Sequence, residues 1–424
     1  MRVRYACIAS ILCIEASAQS AVLTLAQAQQ TALQNHPRIA SASLEAQASG
    51  FAVQEARAPY YPTLFGNVTG VGTEHGSVLS AGAVTTSSIY SRAATGIIAN
   101  QLITDFGRTG SLVSSAKSRN AAKNENVANT RAEVLIEVQQ AYYQALAALA
   151  VEKVAQATLD LRQLTLRQVS ALAASALRSK VDVSFAEVTV SQAQLDLIRA
   201  QNDVRASHAR LSAAMGYDRD QPFTTADEAL PAPLNPDVDG LIAEALNARP
   251  DLATLRLNRD SLRSFAQAER KLSDPTISAG AVAGVAPVRD PRLVEDYSGA
   301  GINVNIPVLN GGLFKARREE ADAHAAAAEK DAEALAVRVA RDVQIAWLNA
   351  NEAFQRLNVT ARMEAEADEA LRLAQARYDA ALGSIVELNQ AQLNEVGAQV
   401  AEATAKYEYL SRRADLNFAM GALR

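Results

Sequence analysis

Side chains that could do chemistry are few in this chain, and they are widely spaced. No two histidines form a His-x-x-x-His pair, the kind of spacing that places two imidazoles on one helix face for a metal ion. The four histidines are His36, His75, His208 and His324. The chain has no Gly-x-Ser-x-Gly elbow for a nucleophilic serine, and its close glycine pairs lack the dinucleotide-binding fingerprint. The sequence therefore predicts no catalytic residue, metal or cofactor, and it disfavours a secreted enzyme.

Two acids and a tyrosine stand beside two short breaks in otherwise helical sequence. Asp182 and Glu387 each follow a break, at Ser179 and Ser384, and Tyr378 precedes the second break. Carboxylates that several chains gather around one narrow axis would attract cations and raise one another's pKa. Alternatively, both acids are ordinary first-turn residues that complement the helix dipole. The sequence leaves both interpretations open.

The composition indicates what kind of elements must carry these residues. The chain has 424 residues, 49% of them hydrophobic but only 5% aromatic, and alanine supplies much of the apolar count. Such a chain, poor in glycine and proline, is typical of long helices that pack closely. With 41 basic and 46 acidic residues the net charge is -5, which gives no general footprint for nucleic acid.

The N-terminus is predicted to be a secretory signal peptide over residues 1–18. Arg2 and Arg4 precede an apolar run at 5–14, and Ala-Ser-Ala at 16–18 supplies a cleavage pattern. Cys7 and Cys13 would leave with this peptide, so the mature chain would contain no disulfide or thiol. Beyond Ile14, no apolar stretch is long enough to predict a transmembrane helix.

The remaining chain contains an internal sequence repeat with two copies. Residues 32–37 recur at 245–250 as Ala-Leu-x-x-His/Arg-Pro, an offset of 213. Later pairs recur at an offset of 205; for example, Met-Gly at 215–216 recurs at 420–421. The predicted organisation is a first repeat over 19–221, a Pro-rich and Asp-rich linker over 222–236, and a second repeat over 237–424.

Each repeat follows one plan: a short helix, an extended glycine-containing region, a helix of about 60 residues (about 90 Å long), a break and a return helix. Apolar residues on the long helices step by three and four, as in a coiled-coil seam, although an ordinary buried hairpin has the same pattern. In the second repeat the predicted seams are Val339, Val343, Ala346, Ala350, Ala353 and Leu357, and Leu393, Val396, Val400, Ala403, Tyr407, Leu410 and Ala414.

The extended regions have the period-two alternation of strands with one apolar face. The apolar sets are Ile277, Ala279, Ala281, Ala283 and Val285; Ile302, Val304, Ile306 and Val308; and, less regularly, Leu64, Val68, Thr95, Ile97 and Ile103. Strands of about 10 residues can cross a bilayer with tilt. Because open strand edges are costly in lipid, four strands per chain require several chains to close one barrel: two chains give 8 strands and three give 12. Val304 is predicted to lie in mid-strand on the lipid side, and Asn303 on the lumen side.

At this point the sequence resembles the TolC family of outer-membrane efflux proteins over nearly the whole mature chain. The resemblance rests on the duplicated hairpins, the Ala-Leu-x-x-His/Arg-Pro start and the segment 377–388. It implies a membrane α+β fold in which a homotrimer shares a 12-strand barrel in outer-membrane lipid. It also implies a long coiled-coil helical tunnel in the periplasm, which docks on a periplasmic adaptor and an inner-membrane transporter.

The same resemblance implies roles for residues at the two breaks. Asp182, Tyr378 and Glu387 stand where the family places its periplasmic gate residues. The implied adaptor-contact tips are Ala176, Leu177, Arg178, Ser179, Ala381, Leu382, Gly383 and Ser384. The chain departs from the family pattern where Ala176 and Ala381 replace a usual glycine, and where Gly383 replaces a frequent arginine. Arg178 or Lys180 is a candidate to replace that arginine.

The predicted function is passive conduction through an outer-membrane exit duct of a tripartite efflux pump or a type I secretion system. The alternative is a structural periplasmic coiled-coil protein without channel activity, which would need no amphipathic strands. A periplasmic adaptor would carry one hairpin between β-rich domains, whereas this chain has two hairpins in tandem. The sequence does not identify the cargo.

Overall fold

The computed structural model describes residues 21–72, 80–81, 84–85, 91–289, 294–380 and 382–423. The predicted signal peptide, both cysteines, His75 and Ala381 lie outside the described residues.

Equivalent helices in the two repeats have equal lengths of 11, 21, 67 and 35 residues, which confirms the predicted duplication of hairpins. The 67-residue helices are about 100 Å long at the helical rise. No helix of the described residues has an apolar stretch long enough to cross a membrane. The helices are α1 (Leu25–Asn35), α2 (Pro37–Arg57), α3 (Arg108–Ala174), α4 (Lys180–Ala214), α5 (Val238–Ala248), α6 (Pro250–Arg270), α7 (Leu313–Asp379) and α8 (Ile385–Ala419).

The strands are β1 (Ala21–Leu23), β2 (Thr63–Val71), β3 (Ser80–Ala81), β4 (Val84–Thr85), β5 (Arg92–Thr104), β6 (Phe223–Thr225), β7 (Thr276–Val288) and β8 (Asp296–Asn305). The order β2-β5-β7-β8 forms one antiparallel sheet, as the four predicted strands require. The prediction that Ile306 and Val308 continue the last strand is wrong for the single chain. Because β7 begins at Thr276, opposite Asn305, residues beyond Asn305 have no strand beside them on that side.

One strand of a second small sheet, β6, lies within the predicted linker. Strand β6 pairs in parallel with β1, and Phe223 is opposite Ala21. Tyr142 of α3 donates its hydroxyl proton to the carbonyl oxygens of Leu23 and Ala226 beside this sheet. Three-residue strands are too short to show periodicity, which is why the sequence pattern did not reveal them.

The recurring His/Arg-Pro motif marks a close contact between the start and the end of each repeat. Gly216 has a φ of +88° at the end of α4, and a Cβ there would lie 3.0 Å from the Cα of His36. In the second repeat a Cβ on Gly421 would lie 3.0 Å from the Cα of Arg249. Glycine is therefore favoured at both positions for two reasons: the turn is left-handed, and the backbone of the repeat's start lies too close for a side chain. The following prolines each begin a helix, where their missing N–H is not needed.

The long helices pack side by side in the order α4-α3-α8-α7, and α2 and α6 flank α3 in the half nearer the sheet. The predicted seam of α7 is confirmed at Val339, Val343, Ala350 and Ala353, which are buried, while its other members, Ala346 and Leu357, are half-buried. The predicted seam of α8 is wrong at its tip-proximal end, where Leu393 is 63% exposed. Because α8 contacts both α7 and α3, it buries the row that faces the two helices together: Leu388, Gln392, Glu395, Ala398 and Ala405.

The sheet contains one close approach that leads to a test. A Cβ on Gly284 would overlap the Thr95 carbonyl oxygen and the hydroxyl of Tyr297, which lies opposite Gly284 in β8. We expect Gly284→Ala to destabilise the folded protein by about 1–3 kcal/mol, as overpacking typically does, measured by thermal unfolding in detergent. The matched control is Gly280→Ala on the same face of β7, where the nearest atom is 3.5 Å away. Equal unfolding temperatures for the two variants would contradict this packing.

Candidate functional site

The first hairpin tip is closed by a left-handed turn and a capping box. Ala176 has a φ of +56°, a conformation that favours glycine, which explains why glycine would suit this position. The hydroxyl of Ser179 accepts a hydrogen bond from the Asp182 N–H, and the Asp182 carboxylate accepts one from the Ser179 N–H. Asp182 therefore caps α4 in the single chain.

The second tip repeats this turn and adds an ion pair. The N–H groups of Leu382 and Gly383 both donate to the carbonyl oxygen of Arg377, and Ser384 caps α8 by accepting from the Glu387 N–H. Glu387 also forms an ion pair with Arg377, with the Arg377 Nε 2.9 Å from its Oε1. Both acids thus have a helix-start role, which is one of the two interpretations left open by the sequence.

Tyr378 joins the two tips. Its side chain is 2% exposed and packs with Val169, Ile385 and Leu388. The guanidinium carbon of Arg178, from the other hairpin, lies 4.0 Å from the centre of the Tyr378 ring, and Arg178 Nη2 donates to the Tyr378 carbonyl oxygen. Arginine stacked on an aromatic face and bonded to backbone is a specific contact that lysine does not reproduce.

The Tyr378 hydroxyl has no hydrogen-bond partner among the described residues. Burial raises the pKa of this hydroxyl, and the negative charge of Asp182 raises the pKa further. The structure therefore brings Tyr378 near Asp182 and against Arg178, but it makes no hydrogen bond between the tyrosine and an acid. Which of these residues gate a tunnel stays a prediction.

Both tips expose apolar side chains at equivalent positions. Leu177 and Val181 at the first tip correspond to Leu382 and Val386 at the second, and all four are exposed. Each pair flanks its capping serine, Ser179 or Ser384. The end of the molecule thus presents the same apolar and polar pattern twice in each chain.

Sequence reasoning missed a pair of buried charged residues between the hairpins, a few helical turns from the tips. Arg162 of α3 is 7% exposed and Glu395 of α8 is 6% exposed. Burial lowers the pKa of Arg162, whereas the charge of Glu395 opposes that shift. Burial and the negative charge of Asp368 on α7 raise the pKa of Glu395. Glu395 falls on the α8 row that the predicted seam placed wrongly, so the pattern gave no signal for it.

The sheet confirms that predicted apolar residues from all four strands share one face, whereas Phe65, Ile98 and Val282 lie on the other. The register places Val68 opposite Thr95, Ile97 opposite Ala283, and Ile277 opposite Val304. Along β7, Ala281, Ala283 and Val285 are more exposed than the residues between them. One face of the sheet is thus apolar and exposed, as expected for contact with lipid.

The outermost helices of the single chain also expose apolar rows. On α4 the row is Val181, Phe185, Val188, Leu195 and Ile198, and on α7 it is Ile345, Leu348, Val359, Met363 and Leu373. These residues follow spacings close to those of coiled-coil seams. These rows lie on α4 and α7, the two edge helices of the α4-α3-α8-α7 layer. Each row therefore resembles a coiled-coil seam that has no partner helix within one chain.

Comparisons with known proteins decide the family. Residues 28–217 and 241–422 match the family described as outer membrane efflux protein. The chain belongs to the outer membrane efflux protein family. It is similar to the outer membrane protein TolC of Salmonella enteritidis, with 21% identity over 419 residues that cover 94% of this chain and 82% of that protein.

Solved structures show the same fold. A membrane protein from Pseudomonas aeruginosa superposes with a TM-score of 0.83 at 20% identity, covering 95% of this chain and 91% of that one. The outer membrane protein VceC of Vibrio cholerae gives 0.79 at 18% identity, covering 94% and 96%. The predicted fold class is confirmed for the chain: a membrane α+β protein with duplicated hairpins, a sheet of four strands and long coiled-coil helices, consistent with a shared trimeric 12-strand barrel and a helical tunnel. As an efflux channel of this family, the protein resides in the outer membrane with its helical part in the periplasm.

Proposed function

We propose that this protein is the outer-membrane exit duct of a tripartite efflux pump or type I secretion system. The observation that carries the proposal is the joining, in one chain, of an apolar-faced sheet to two hairpins of equal length. A structural coiled-coil protein of the periplasm would have no use for the sheet. Conduction is passive, because an inner-membrane transporter supplies the energy and hands the cargo to the duct through a periplasmic adaptor.

The tips are the proposed adaptor contact. In each chain Leu177 and Leu382 stand at the far end of the helices, exposed beside the capping serines. An adaptor hairpin would bury these leucines against its own apolar residues, while Arg178, Gly383 and Ser384 shape the surrounding rim. Ala176, Ser179 and Ala381 belong to the same proposed surface. The domain boundaries at 19–221, 222–236 and 237–424 remain part of this proposal.

A planar-bilayer recording of the purified protein tests the duct. We expect a detergent-stable trimer that conducts ions, with low open probability when the tips are intact. A monomer released in soluble form from the periplasm, or a trimer that never conducts, would overturn the duct and favour the structural alternative.

The same recording tests the gate. We expect Arg178→Ala to raise the open probability, because it removes the contact of Arg178 with the ring and carbonyl oxygen of Tyr378. Tyr378→Phe is the matched control: it keeps both of those contacts and removes only a buried hydroxyl without a partner among the described residues, so we expect the wild-type open probability. Wild-type gating in Arg178→Ala trimers would contradict a closing role for this contact.

The charge of the proposed gate needs variants that leave the helix starts intact. Asp182→Asn with Glu387→Gln keeps a side-chain oxygen at each position but removes both carboxylates, one that caps α4 and one that pairs with Arg377. We expect weaker cation selectivity from this pair, since negative rings select cations in pores. Unchanged selectivity at normal trimer yield would leave both acids as helix caps only.

A further inference from the structure

The face of the sheet away from lipid carries one row of apolar side chains. The register joins Phe65, Ile98 and Val282 directly across β2, β5 and β7, and the row ends at Gly299 of β8. In the proposed duct this face lines the lumen, where membrane barrels are polar because water fills them. An apolar row on this face does not help the sheet to enter lipid, so it points to an interaction with something else.

Tyr297 adds an aromatic ring beside this row. It lies one row further from the long helices, opposite Gly284, which in turn lies opposite Gly96. A Cβ on either glycine would overlap the Tyr297 hydroxyl, and this hydroxyl donates to the Thr95 carbonyl oxygen at 3.4 Å. The ring therefore lies flat across β7 and β5, with one face against the two glycines and the other face open to the lumen.

These apolar side chains form one continuous surface, the luminal patch, which consists of Phe65, Ile98, Val282 and Tyr297. Phe65 is 58% exposed and Tyr297 is 36% exposed, whereas Ile98 and Val282 are half-buried. Val282 Cγ1 lies 3.9 Å from the position that a Cβ on Gly299 would take, so this glycine leaves the valine uncovered on the β8 side. At the spacings of a sheet, the patch extends about 14 Å across the strands and about 7 Å along them.

The border of the luminal patch is polar but uncharged. The next row toward the long helices begins with Thr63 and Asn100, and the row of Tyr297 begins with Asn67. None of the twelve residues in these three rows is charged. Amide and hydroxyl groups can bond to a polar group of a bound molecule, whereas an ion would find no opposite charge here. An apolar centre with a few polar groups is typical of sites for small organic molecules.

We propose that the luminal patch is a contact site for cargo, and that this cargo is a small organic molecule with an apolar, preferably aromatic, body and a polar group. The apolar body would lie on Phe65 and on the open face of Tyr297, and the polar group would bond to Asn67 or Asn100. This inference rests on the proposed duct, because it names the class of cargo that the barrel receives. Three chains would supply three equivalent patches.

The shape of the patch suits a molecule that must leave again. Phe65 and Tyr297 lie on an open wall rather than in a closed cavity, so a bound molecule keeps part of its surface in water. Conduction requires contacts that favour entry but are weak enough for release. The luminal patch therefore fits a transient contact on the way out.

The open-channel current through the purified protein in a planar bilayer tests the luminal patch. The probe is naphthylmethyl-trimethylammonium, added on the outer side, and tetramethylammonium is the cation of equal charge without the aromatic body. We expect the aromatic probe to reduce the wild-type current at a concentration at least several-fold lower than tetramethylammonium does. Phe65→Ser and Tyr297→Ser should each raise the concentration of the aromatic probe for half-maximal reduction at least several-fold, measured against each variant's own current.

Two control variants keep the apolar surface of the patch. Tyr297→Phe keeps the ring and removes only the hydroxyl that bonds to Thr95. Asn303→Ser changes the same face of the sheet outside the patch, where Asn303 lies opposite Ser278. Both variants should respond to the aromatic probe as the wild type does.

The outcomes separate the patch from the duct. Equal potency of the two cations on the wild type, or an unchanged potency of the aromatic probe in both serine variants, would overturn the patch as a contact site and leave the duct standing. A wild type that forms no trimer or never conducts would overturn the duct, and this inference with it. If Tyr297→Ser does not assemble, because its ring braces neighbouring strands, Phe65→Ser decides the result.

Discussion

Val304→Arg is expected to destabilise the membrane-inserted sheet by about 2–4 kcal/mol per chain if the residue lies near the bilayer midplane. Val304 lies on the apolar face opposite Ile277, so the arginine would replace a lipid-facing valine in each of three chains. The expected result is loss of the heat-resistant trimer on electrophoresis and a lower unfolding temperature in bilayers. Asn303→Arg is the matched control, because its side chain projects to the opposite face of the same strand.

The size of this effect also reports the length of the strand. In the single chain β8 ends at Asn305, which places Val304 next to its periplasmic end, where arginine costs only about 0–1 kcal/mol. If residues 306–309 extend the strand, Val304 moves well inside the apolar band and the larger cost applies. Equal assembly defects from Val304→Arg and Asn303→Arg would show that the two faces are assigned wrongly.

Arg162→Met is expected to destabilise the packing of the two hairpins by about 1–3 kcal/mol, because it removes the positive charge that offsets the cost of burying the Glu395 carboxylate. Glu395 would stay buried on α8, next to the negative charges of Asp368 and Glu364, without its cation. The expected readout is a lower unfolding temperature of the helical signal in circular dichroism. Arg162→Met combined with Glu395→Leu should recover most of the loss, since the double variant leaves no unpaired charge.

The pH dependence separates this mechanism from a simple loss of packing. Burial already raises the pKa of Glu395, and without Arg162 it would rise further. A carboxyl that binds its proton more tightly when folded contributes stability that is lost as pH rises through the folded-state pKa. Arg162→Met should therefore regain stability relative to wild type on acidification toward that pKa, and the double variant should not. Parallel pH profiles of the two variants would indicate that Arg162 acts only by filling space.

The sequence alone was enough for most of the architecture. Heptad spacing and breaks at Ser179 and Ser384 predicted the two long hairpins, because a helix face and a missing turn are local properties of the chain. Alternation identified the shared apolar face from Val68 to Val304, since side chains on a strand project to the two faces in turn. The fixed offsets revealed the duplication without any knowledge of contacts.

Contacts between distant segments were decided only by the tertiary structure. The stacking of Arg178 on Tyr378 and the pairing of β1 with β6 join residues that no local pattern relates. The buried row of α8 runs through Gln392 and Glu395 because that helix lies between α7 and α3, whereas a heptad read along one helix assumes one partner. The end of β8 at Asn305 likewise depends on where β7 begins. Burial and strand length depend on which helix or strand packs alongside, and that neighbouring element comes from a distant part of the sequence.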